Sequence, residues 1–205
     1  MWYPTVKHGT RVADASRRKY QRYTYPGFVE PEAGDTVVEI GSFVGEFTLR
    51  AAKIGERVIT IEPDPRNVAC LRRNLEGFEN VTIVETVISD ASVDVSFQLG
   101  DDPTENSLLV PDGNEPHTTR SVSTKTIEEV CLAHEVETVD YLKIDAEGTE
   151  PEVIDGLGSL TVRKIAVDTG PERNGERTTS TVIAQLSERA YDIQKNGDVV
   201  FGKYN

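Results

Sequence analysis

The 205-residue chain carries a formal charge of −13, which repels nucleic acid and anionic membrane alike and leaves a small molecule as the expected partner. Its length suits one domain over residues 1–205, with a cap segment at 1–34 and a core at 35–205. No run approaches the roughly 18 apolar residues of a membrane span, and Met1 to His8 hold no signal-peptide core, so a cytoplasmic protein of unassigned oligomeric state is expected.

Thirty-five acids against eight lysines also suit work in concentrated salt, although acidic proteins of ordinary habitats carry the same balance. Cys70 and Cys131 fall in helical patterns without a C-x-x-C partner and read as buried free thiols. The N-terminal segment holds a basic and aromatic run, Arg17 to Tyr25. It reads either as a helix laid over a sheet, its arginines paired with surface acids, or as a face for an acidic substrate or a cofactor carboxylate. Pro26, Gly27, Pro31 and Gly34 then lead into the first strand.

Thr36 to Phe47 is a β-branched run that breaks into glycines and resumes with helical spacing, and so reads as strand, tight turn and helix, with Gly41 ending the strand and Gly45 opening the helix. Glycines here let backbone approach a ligand closely. The dinucleotide pattern G-x-G-x-x-G would need glycine at Gly41, Phe43 and Glu46, and only the first fits. The methyl-donor pattern acid-x-G-x-G-x-G falls on Glu39, Gly41, Phe43 and Gly45 and fits at three of four places. A carboxylate at Glu39 repels phosphate but accepts hydrogen bonds from a ligand ammonium group.

Phe47, Ala51 and Ile54 give the next helix a shared face, with Gly55 as its stop. Arg57 to Glu62 follows as a buried strand, then Asp64 caps a helix whose first turn holds Pro65 and whose stripe is Val68, Leu71 and Leu75. Glu62, ending the second strand, is placed to accept both hydroxyl protons of a ribose. Asn80 to Glu85 is a third strand, and the segment leaving it, with Ser89 and Asp90, would lie beside an adenine ring.

Val93 to Phe97 and Ser121 to Thr124 read as two short strands around a long polar insert, a candidate substrate lid, in which His117 is expected to be solvated. Thr126 and Glu129 form a capping box for a helix near 127–134. Val139 to Val153 reads as a strand ending at Asp145, a turn at Gly148, and a helix capped by Thr149 with Glu152 closing a second box. Acids at Glu150 and Glu152 suit a first helical turn; Asp145 and Glu147 have no such explanation. A fifth strand, Arg163 to Asp168, also ends on an acid. A glycine-bearing loop follows to Arg177, then a helix over Thr181 to Arg189 and a hairpin turning at Asn196-Gly197.

Together these strand ends resemble the FkbM family of S-adenosylmethionine-dependent methyltransferases. The resemblance rests on Glu39-Ile40-Gly41-Ser42-Phe43-Val44-Gly45, on Ile61-Glu62-Pro63, and most specifically on Lys143-Ile144-Asp145-Ala146-Glu147-Gly148-Thr149-Glu150. It implies an α/β, doubly wound, Rossmann-like class I methyltransferase sheet of seven strands, in order 3-2-1-4-5-7-6 with the seventh antiparallel. It also implies S-adenosyl-L-methionine as cofactor and methyl transfer, commonly to a hydroxyl oxygen of a sugar or other natural product.

Cofactor binding is then expected of Glu39, Gly41, Ser42, Phe43, Gly45, Glu62, Pro63, Ser89 and Asp90, and catalysis of Asp145, Asp168 and Glu147. Lys143, on the strand face of Asp145, is placed to hold it ionised. No metal is expected. Two departures stand out: Phe43 where the family often has a small polar residue, and Gly170 in Asp168-Thr169-Gly170-Pro171 where it often has histidine. They keep open a cofactor-binding module without turnover; an NAD-dependent oxidoreductase already fails on glycine spacing.

Overall fold

The computed structural model describes residues 2–3, 12–100 and 117–204. Among the described residues ten strands are formed: β1 (Thr36–Ile40), β2 (Arg57–Ile61), β3 (Val81–Val84), β4 (Val87–Ile88), β5 (Asp94–Gly100), β6 (His117–Lys125), β7 (Thr138–Ile144), β8 (Thr161–Asp168), β9 (Tyr191–Asn196) and β10 (Val199–Tyr204). Seven of them make one sheet in the order β3-β2-β1-β7-β8-β10-β9. Numbered as the chain enters that sheet, the order is 3-2-1-4-5-7-6, as the resemblance implies. The first five strands are parallel and β10 runs antiparallel to both neighbours.

The parallel strands are apolar on both faces because helices cover both. Val38, Ile59, Leu142 and Ile165 point to one side and pack with Ile127, Ile154 and Leu186. Their neighbours Val37, Val58, Tyr141 and Ala166 point to the other and pack with Tyr23, Phe47 and Phe201. The helices are α1 (Val12–Arg22), α2 (Thr48–Ala51), α3 (Pro65–Asn74), α4 (Ile127–Ala133), α5 (Glu150–Asp155) and α6 (Thr179–Glu188). Among the described residues no helix is long and apolar enough to cross a membrane. Cys131 is buried and Cys70 half-buried, and both are free thiols.

Asp64 caps α3 by accepting from the Arg66 N–H, and Thr126 and Glu129 close the box on α4. Two local expectations are corrected. Gly45 does not open a helix: its φ of +89° lies inside the turn, and α2 starts only at Thr48. Thr149 does not cap α5, because left-handed backbone at Glu147 and Gly148 turns its hydroxyl back onto the Ala146 carbonyl. The N–H groups of Ala146 and Gly148 instead donate to Glu150, while Glu152 pairs with Arg173.

β5 pairs antiparallel with β6 along the whole of β5, both strands being longer than expected, and β4 joins the end of β6 in parallel to make a second, three-stranded sheet. His117 opens β6; the insert at 101–116, read as a lid, lies outside the described residues.

Candidate active site

The cleft opens at the carboxyl ends of β1, β2 and β7, where the chain order in the sheet reverses between β1 and β7, the usual ligand site of an open α/β sheet. It encloses about 790 Å³ of empty space counted out to solvent. Gly41 and Phe43 line it from β1, Glu62 and Pro63 from β2, Asp145 and Glu147 from β7.

The turn after β1 is fixed by close backbone approach. Gly41 has φ +73°, and a Cβ there would stand 1.8 Å from the Asp145 carbonyl oxygen. At Gly45 a Cβ would meet Leu71 of α3 at 2.7 Å. Ser42 is buried, its N–H and hydroxyl turned toward the Ile61 carbonyl, and it does not line the cleft. Glu39 is a correction: only 1% exposed, it lies behind the turn. Its carboxylate accepts from Thr48 at 2.5 Å and from Lys143 at 3.3 Å, so the ammonium it meets is the protein's own.

Glu62 faces the cleft with part of its capacity spent. Its Oε1 accepts from the Asp64 N–H (3.0 Å) and Asn67 Nδ2 (3.1 Å), and its Oε2 from the Phe43 N–H (2.8 Å). Of about four acceptor positions on a carboxylate, one on Oε2 remains. A ribose hydroxyl fits there, whereas the expected pair of hydroxyls would have to share it. Burial pushes the Glu62 carboxyl up to about 7, against the pull of Asn67 and the two N–H groups.

The cleft wall beyond Glu62 is made by Thr86, Val87, Ile88 and Phe97 rather than by Ser89 and Asp90. Ser89 is buried against Gly156 and donates to Asp90. The expected amine contacts thus give way to an apolar slot suited to the faces of a flat ring. Phe97 reaches it because β5 pairs with β6, which itself runs beside β4.

On the β7 side, Asp145 has its carboxylate 2.9 Å from Lys19 and 3.4 Å from Lys143. Burial opposes its charge, but the two ammonium groups prevail and hold it well below the usual carboxylate range. Glu147 moves the other way. Burial, with Asp145 and Glu172 nearby, pushes it up to about 9, and its backbone is left-handed at φ +50°. Burial likewise lifts Glu150 to about 7 and Glu172 to about 8. On the β7 side the two lining acids are thus driven apart, Asp145 toward its charged form and Glu147 toward its neutral one.

Asp168 does not join them in the cleft. It is 2% exposed, doubly bonded by the Arg22 guanidinium (2.6 to 3.1 Å), and accepts from the Tyr23 hydroxyl at 2.7 Å. The Tyr23 hydroxyl lies between Asp168 and Asp145. The expectation that Asp168 takes part in catalysis beside Asp145 is corrected accordingly. So is the reading of α1, whose cations meet site acids rather than surface ones. Lys19, which also lines the cleft, Arg22 and Tyr23 are the site residues that sequence reading missed. Their spacing of i, i+3 and i+4 puts them on one helical face and was the available signal. Among the described residues no three His, Cys, Asp or Glu side chains are grouped to hold a metal.

A sequence model described as "Methyltransferase FkbM domain" matches residues 36–198. A curated relative, ribosomal RNA small subunit methyltransferase A of Syntrophus aciditrophicus, is 28% identical over 168 residues, covering 77% of this chain and 58% of that protein. The chain thus spans little more than half of that relative. An FkbM methyltransferase structure from Methylobacillus flagellatus superposes with a TM-score of 0.58 at 15% identity, over 91% of this chain and 50% of that one. The Aeropyrum pernix fibrillarin structure, described with natively bound S-adenosyl-L-methionine, gives 0.56 at 15% identity over 92% and 75%.

Proposed function

Since the chain belongs to the FkbM family of S-adenosylmethionine-dependent methyltransferases, we propose that it methylates a hydroxyl oxygen of a small acceptor, a sugar or another natural product. The observation that carries this reading is that Asp145 and Glu147 line one cleft wall, the first favoured in its charged form by Lys19 and Lys143 and the second pushed toward its neutral form by burial. One accepts and the other donates, which is how a hydroxyl is held at both its hydrogen and its oxygen.

When bound, the cofactor would supply an electrophilic methyl whose bond to sulfur breaks to leave a neutral thioether. Glu62 would hold its ribose and the slot of Ile88 and Phe97 its adenine. Asp145, with its low proton affinity, is a weak base and takes the hydroxyl proton late. Most of the acceleration therefore comes from alignment of the reacting atoms. Glu147 orients the acceptor. Arg22 and Tyr23 position the wall by clamping Asp168.

Two other readings have specific support. The Lys19–Asp145 ion pair suits a cofactor-binding module without turnover, and release of S-adenosylhomocysteine with cell extract decides between the two. The ribosomal RNA methyltransferase relative raises RNA as acceptor, against which stands the charge of −13. Cell extract given methyl-labelled S-adenosylmethionine, followed by mass spectrometry, should place the label on a small hydroxylated molecule. Label in the RNA fraction, or no transfer at all, would overturn the proposal.

A further inference from the structure

Phe43 is the bulky member of a turn that its backbone does not require it to be. Its φ of +51° is left-handed, between Gly41 at +73° and Gly45 at +89°, a conformation that glycine takes freely and that an aromatic residue takes only under strain. What the backbone does there, donating its N–H to Glu62, glycine would do as well. Retention of a strained side chain in a cleft points to a task for that side chain. The ring lines the cleft and is backed by Tyr3, with centroids 6.0 Å apart. Tyr3 is itself tied down by donating to Glu46 at 2.6 Å.

The bond from the Phe43 N–H ends on the same Glu62 oxygen that has room for a ribose hydroxyl. In S-adenosylmethionine the sulfonium hangs from the ribose by a single carbon, so a ribose on Glu62 brings the positive centre within a side chain's length of residue 43. An aromatic face attracts such a cation through its quadrupole and does nothing comparable for a neutral thioether. We propose that Phe43 is a specificity-determining residue, whose ring favours the sulfonium form of the cofactor over S-adenosylhomocysteine. The inference rests on the cofactor and on its ribose meeting Glu62, and is independent of the acceptor.

The test is calorimetric, on the full chain without acceptor, with S-adenosylmethionine and S-adenosylhomocysteine titrated into the parent, Phe43→Leu and Phe43→Gly. The parent should bind the methyl donor more tightly than the product. Phe43→Leu, which keeps the bulk and loses the quadrupole, should narrow that preference by about two- to thirtyfold. Phe43→Gly should narrow it likewise and, with the strain released, melt higher than the parent without ligand. A Leu variant that keeps the parent's preference, or a parent that has none, overturns the proposal. A parent that binds neither ligand removes the cofactor assignment and the proposal with it, whereas failure to find a hydroxyl acceptor leaves these affinities unaffected.

Discussion

The turns that follow β1 and β7 start level, since Ile40 and Ile144 are paired in the sheet. Three residues on, each chain passes through a left-handed residue that is not glycine, Phe43 in one and Glu147 in the other. There the likeness ends. The β1 turn acts through backbone: a missing Cβ at Gly41, N–H groups given to Ile61 and Glu62. The β7 turn acts through side-chain charge, and that charge is set by its surroundings, Asp145 by Lys19 and Lys143, Glu147 by burial and then by Asp145 and Glu172. A site half made of shape and half of charge should fail in two different ways.

The largest effect is expected on the side of shape. Gly41→Ala adds an atom 1.8 Å from the Asp145 carbonyl in a left-handed residue; it should destabilise by about 4 kcal/mol or more, roughly 10 °C in melting temperature. An unshifted melting curve would show that the turns are not in contact as described. On the side of charge, Asp145→Asn should cut turnover by about 10² to 10⁴ while cofactor affinity stays within a few-fold. Asp168→Asn, which loosens the Arg22 clamp, should tell chiefly on thermal stability. Equal turnover losses in the two variants would restore Asp168 as a partner in the chemistry.

Smaller, and at the seam between the halves, Glu62→Ala should weaken S-adenosylmethionine by about ten- to a hundredfold, the worth of one charge-assisted hydrogen bond. Unchanged affinity by calorimetry would remove the ribose from Glu62. The gentlest test is pH. Glu62, Glu147, Glu150 and Glu172 all titrate higher folded than the ordinary 4.5, at about 7, 9, 7 and 8. The folded protein therefore binds the extra protons, and the stability they confer is full below about pH 4.5 and lost as pH rises toward 9. Melting temperature should fall as pH rises across that window, most steeply in its lower half where all four acids contribute. Glu147→Gln should flatten its upper end, and a curve that rises with pH would show these acids to be ionised.

The half made of shape was the half legible in the sequence. β-branched runs ending in Gly41, Glu62, Asp145 and Asp168 gave the strands, because buried parallel strands leave little compositional choice, whereas their order came from the resemblance to the FkbM family. The cap at Asp64 and the box at Thr126 were equally plain. What could not be read was one local turn and the contacts between residues far apart in the chain. Thr149 turns its hydroxyl back onto Ala146 through a left-handed step at Glu147 that no local pattern announces. Ser89 and Asp90 yielded to Phe97, whose approach depends on strands forming a separate sheet. The ionisation of Asp145 hangs on Lys19, distant in sequence and brought near only by the docking of α1.

The pairing of Ile40 with Ile144 carries one more implication. Both halves of the cleft spring from adjacent hydrogen-bonded strands, whose spacing is held near about 4.8 Å by the backbone itself. The gap between the two walls is therefore gauged by the sheet, while α1 through Lys19 and β5 through Phe97 line the cleft from outside those two strands.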